Sequence, residues 1–70
     1  MTDIMRPWFW SANLFYDGQK YKFACGIITT CSTGSDLFEN INSHIIEEEY
    51  KTGIKIKKTD IQIIALNRAD

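Results

Sequence analysis

Large apolar residues recur at every second position early in the chain, and the period lengthens after residue 34. Trp8, Trp10, Ala12 and Leu14 alternate with Phe9, Ser11, Asn13 and Phe15. Successive side chains of a strand point to opposite faces, so this spacing predicts a strand with one strongly apolar face. Asp17-Gly18 follows, and a second run rich in aromatic and β-branched residues extends from Gln19 to Thr30. A two-residue Asp-Gly loop favours a type I′ turn, because both positions accept positive φ. A hairpin over residues 7–30 is the expected result.

That loop implies a register. Tyr16 faces Gln19, Leu14 faces Tyr21, Ala12 faces Phe23, Trp10 faces Cys25 and Trp8 faces Ile27, all on one side of the ribbon. The other side then carries Phe9 against Gly26, Ser11 against Ala24, Asn13 against Lys22 and Phe15 against Lys20. A three-residue loop pairs Trp10 with Ala24 and Leu14 with Lys20, which mixes the faces. Patterning therefore selects the two-residue loop. Trp10, Phe23 and Cys25 are expected in the core, with Phe9, Phe15, Lys20 and Lys22 on an open face.

Residues 29–35 are small and polar, as suits a strand end and a loop. Ser35 or Asp36 is the expected helix cap, with Glu39 placed to close a capping box on Asp36. Leu37, Phe38, Ile41 and Ile45 recur at helical spacing. Gly53 suits the position just past the helix, and Lys51 complements its dipole. These signals predict a helix over 36–51, with Ile46 and Tyr50 exposed on its far side. Ile54-Lys55-Ile56-Lys57 alternates and leaves an extra short strand open, while Ile61–Leu66 predicts a last strand over 60–67.

The first six residues show no pattern and are expected to be flexible. The fold expected is α+β: a ββαβ chain forming a three-stranded, mostly antiparallel sheet with one helix packed on one face. Strand order 2-1-3 places the aromatic first strand in the centre, and 1-2-3 is the alternative.

Seventy residues suffice for one small domain, 1–70, near the lower limit of unaided folding. The net charge of −1 gives no global field for nucleic acid or an anionic membrane. Glu47–Glu49 followed by Lys51, Lys55, Lys57 and Lys58 reads as a solvated helix end and loop. Ser11 and Asn13 interrupt the early aromatics before a signal-peptide core forms, and no apolar run nears the ~20 residues of a membrane span. Cys25 and Cys31 are then expected as reduced thiols in a cytoplasmic protein with no membrane partner.

Chemistry is sparse. His44 is the only histidine and has no second histidine for a relay or a metal site. Cys31-Ser32-Thr33-Gly34-Ser35 superficially resembles the phosphate-binding loop of cysteine-dependent phosphatases. Those loops end in an arginine, whereas this chain continues with Asp36, which repels phosphate. The expectation is no enzyme, no catalytic residue, no metal site and no cofactor.

Phe9, Phe15, Lys20 and Lys22 sharing a face would suit single-stranded nucleic acid, through stacking and phosphate contacts. The leading expectation is a protein-interaction module, self-associating as a homodimer or binding another protein. Its contacts would be the open face, Ile46 and Tyr50, or the edge of the last strand. Short chains of this kind are common among the accessory proteins of phages, prophages and plasmids, and such a role is expected here.

Overall fold

The structure, a computed structural model, describes residues 4–70. Strand β1 runs Arg6–Tyr16, β2 Gln19–Thr30, helix α1 Ser35–Lys51 and β3 Ile61–Arg68, with one 3-10 turn at Lys58–Asp60. The sheet order is β2-β1-β3 and both pairings are antiparallel. This is the expected ββαβ arrangement with β1 in the centre. Of the segment expected to be flexible, residues 1–3 lie outside the described residues. Arg6 already belongs to β1, opposite Thr30, with its guanidinium 3.4 Å from Asp70.

The turn forms as its residues require. Asp17 and Gly18 have φ of 54° and 81°, and Tyr16 and Phe15 stand opposite Gln19 and Lys20. Beyond that point the expected register fails. A bulge between Leu14 and Phe15 leaves Tyr21 as an extra residue, so Leu14 pairs with Lys22, Trp10 with Gly26 and Trp8 with Ile28. A one-residue slip sends each later side chain of β2 to the other face. Phe23, Cys25 and Ile27 are therefore outside the core, with Phe23 55% and Ile27 61% exposed. Lys22, Ala24, Gly26 and Ile28 face the helix instead.

The physical reason is the volume of Trp10. Its side chain is buried and lies across Gly26, where an added Cβ would stand 3.1 Å from Cζ2 and 3.4 Å from Nε1. A bulky β1 face needs small residues beside it, and the bulge delivers Ala24 and Gly26 there. Replacing Gly26 with Val is expected to cost on the order of 1–2 kcal/mol by overpacking, despite valine's preference for strands. A denaturant melt at parental stability would show that the indole does not rest on this position.

Leu37, Ile41 and Ile45 of α1 close over Trp10, Ala12 and Leu14, and Ile56 completes the buried core. The helix stripe continues to Glu49, four residues after Ile45, while Phe38 is exposed. Gly34 is the N-cap in place of a side chain, and its carbonyl accepts from the Leu37 N–H at 3.1 Å. Glu39 closes no capping box and pairs with Lys58. Ser35 is already helical, so its hydroxyl sits past the cap. The other end follows expectation: Gly53 has φ 89°, its N–H reaches Tyr50 O, and Ile54 N–H reaches Glu49 O. That pair of bonds is a Schellman motif.

Residues 54–57 form no strand, yet Ile56 is buried and Ile54 is half-buried against the core. Ile46 is half-buried as well, because Ile56 and Lys57 lie next to it; its expected exposure is not observed. Tyr50 is exposed, with Lys55 Nζ 5.9 Å from its ring centre. In β3 a second bulge, opposite Ser11/Ala12, makes Ile64 the extra residue and leaves it exposed. Ile61, Ile63 and Leu66 still reach the core.

Candidate interaction surfaces

The sheet face away from α1 is apolar and open. Phe9 stands opposite Ile27, Ser11 opposite Cys25 and Asn13 opposite Phe23. Across the other seam Ser11 meets Ala65, and Asn13 meets Gln62 and donates from Nδ2 to Gln62 Oε1 at 3.2 Å. Phe9, Phe23 and Ile27 thus surround a small polar centre made by Ser11, which is buried, and Asn13. Asn13 Oδ1 is itself buried without a hydrogen-bond partner.

Three of the residues expected to make contacts lie here: Phe9, half-buried Phe15, and Lys20 opposite Phe15. Lys22 does not. The bulge turns it to the helix side, where its Nζ donates to Glu49 Oε2 at 2.8 Å. Tyr50 is on the helix, away from this face, and Ile46 is partly covered. Patterning puts Phe23 and Ile27 on the core face, yet they are the most exposed apolar side chains of the hairpin strands. The pair Ala24 and Gly26, small residues two apart beside alternating tryptophans, is the sequence signal for that exchange.

A second assembly sits at the C-terminal half of α1. Glu49 is only 5% exposed although it carries a carboxylate. A bulge brings two successive residues of one strand to the same side, and here both Tyr21 and Lys22 reach this carboxylate. Burial pushes the Glu49 carboxyl up, but hydrogen bonds from Lys22 and Tyr21 outweigh it and hold the group below its ordinary value. Burial, reinforced by the hydrogen bond to Glu49, raises the Tyr21 phenol. An acid continuing an apolar stripe is legible in the sequence as a group requiring partners.

Between this assembly and the outer edge of β2 runs a groove of about 420 Å³. Its walls are Lys22–Cys25 on the strand side and His44, Glu48 and Glu49 on the helix side, with Trp10 between them. The exposed His44 ring sits 6.1 Å from Trp10, edge to face at 73°. Trp10 Nε1 is buried without a hydrogen-bond partner. Cys25 and Cys31 are both free and exposed.

Among the described residues, no three His, Cys, Asp or Glu side chains are grouped to hold a metal ion. No described helix is long and apolar enough to cross a membrane. Comparison with protein-family models, with curated proteins and with solved structures finds no match to this chain.

Proposed function

We propose that the chain is a non-enzymatic protein-interaction module of the accessory kind, and that it pairs with a second copy of itself through the open sheet face. The observation that supports this is the exposure of Phe23 and Ile27 beside Phe9 on the sheet face opposite the one that α1 packs against. Fully burying side chains of this size is favourable by about 1.5–3 kcal/mol each, and the monomer forgoes the part of that gain that belongs to their exposed surface. A face-to-face pair of sheets recovers it, and a two-fold pairing presents the same patch from both copies.

The test is sedimentation at micromolar concentration. The parent is expected to sediment as a dimer. Phe23→Ser combined with Ile27→Ser is expected to sediment as a monomer with nearly unchanged stability, since neither side chain is in the core. A parent that stays monomeric over a wide concentration range would sink the pairing. With Lys22 bonded to Glu49 on the opposite side, the aromatic-and-lysine platform for nucleic acid keeps only Lys20 of its two named cations.

A further inference from the structure

We infer that the groove between β2 and α1 is a dock for an extended segment of another protein that carries a lysine or arginine, added beside β2 as a fourth strand. This builds on reading the chain as an interaction module but uses a different surface from the self-pairing face. Among the described residues β2 has β1 on one side and no strand on the other, so its outer row of backbone N–H and C=O groups is unpaired by the sheet. Phe23 and Cys25 point their side chains to the open face yet line the groove, so what they contribute to it is backbone.

Edge strands are normally protected by charge, proline or a covering element. From Phe23 to Thr30 this edge has neither charge nor proline. An added strand satisfies that row and sends alternate side chains into the groove, at about 7 Å spacing.

The groove specifies what those side chains are. Glu48 lies on the helix wall, and its only ion pair among the described residues is a 3.4 Å contact with exposed Lys51. Such an exposed pair is weak, which leaves the carboxylate able to receive a cation from the incoming strand. The charge of Glu49 is already matched by Lys22 and calls for nothing more. Trp10 supplies the polar contact: its indole N–H edge lies over Gly26, is buried and has no acceptor. A neighbouring residue of the segment with a hydroxyl or amide oxygen provides one once the side chains covering the ring part to admit it. The fitting occupant is thus an extended stretch pairing a basic residue with a nearby Ser, Thr, Asn or Gln.

A capped nine-residue peptide of alternating lysine and valine with a central threonine is the probe, titrated into the ¹⁵N-labelled full chain. Two controls accompany it: the same peptide with aspartate for lysine, and one with proline at alternate positions, which lacks half of its strand donors. The lysine peptide is expected to shift the amides of Lys22–Gly26 and His44–Glu49 and to move the Trp10 indole N–H downfield.

The aspartate peptide and the proline peptide are each expected to bind at least about fivefold more weakly. Glu48→Lys, a surface change, is expected to remove the preference for lysine over aspartate. Shifts confined to Phe9, Phe23 and Ile27, or no shifts with any peptide, would overturn the dock while leaving the dimer test untouched. Concentration-dependent shifts along β2 without peptide would assign the edge to a second copy and overturn it too.

Discussion

Trp10→Ala is expected to cost about 3–5 kcal/mol of stability, whereas Phe23→Ala on the neighbouring strand is expected to cost less than about 1. The contrast follows from the bulge alone. In a straight hairpin both aromatics share the core face, and both truncations open large cavities. In the bulged hairpin Trp10 is 4% exposed under the helix and Phe23 is 55% exposed on the far side. For a domain of this size, total stability is roughly 4–10 kcal/mol, so the Trp10 variant loses much of it. Denaturant melts at sub-micromolar concentration, where self-pairing does not contribute, measure both variants. Equal losses for the two would restore the straight register.

What could be read in advance was whatever depends on local chemistry. Asp17-Gly18 sets the turn and Gly53 the end of the helix, while the sheet order stays open between 2-1-3 and 1-2-3 until β3 is seen to pair with β1. What could not be read was set by shape. Counting apolar positions treats Phe23 and Gly26 as a good and a bad core residue, yet the Trp10 ring requires the glycine beside it. Hence patterning and structure agree that Phe9, Phe15 and Lys20 lie on the open face, while the bulge takes Lys22 off it and puts Phe23 and Ile27 there instead. The helix shows the same division. Its span was legible from period and composition, but Glu49 joins the stripe only because two residues of the bulge can reach it.

Glu49→Ala is accordingly expected to destabilise the fold by about 2–3 kcal/mol, as for a buried carboxylate whose partners are left behind. Lys22 is partly exposed and can rehydrate, which keeps the loss below that of a fully buried pair. The conservative change Glu49→Gln separates charge from packing. Because Glu49 titrates lower folded than unfolded, its contribution is present above the ordinary carboxylate value of about 4.3 and is lost as pH falls through the folded value.

Tyr21 runs the other way. Raised in the folded state, its contribution is present below the ordinary phenol value of about 10 and is lost as pH rises further. The stability difference between parent and Glu49→Gln should therefore form a plateau near neutral pH and shrink toward acid. Denaturant midpoints taken from about pH 3 to pH 7 follow the acid side. A difference that stays flat across that range would mean that a charged Glu49 is not what Lys22 and Tyr21 hold, and that the bulge exists only to seat Trp10 on Gly26.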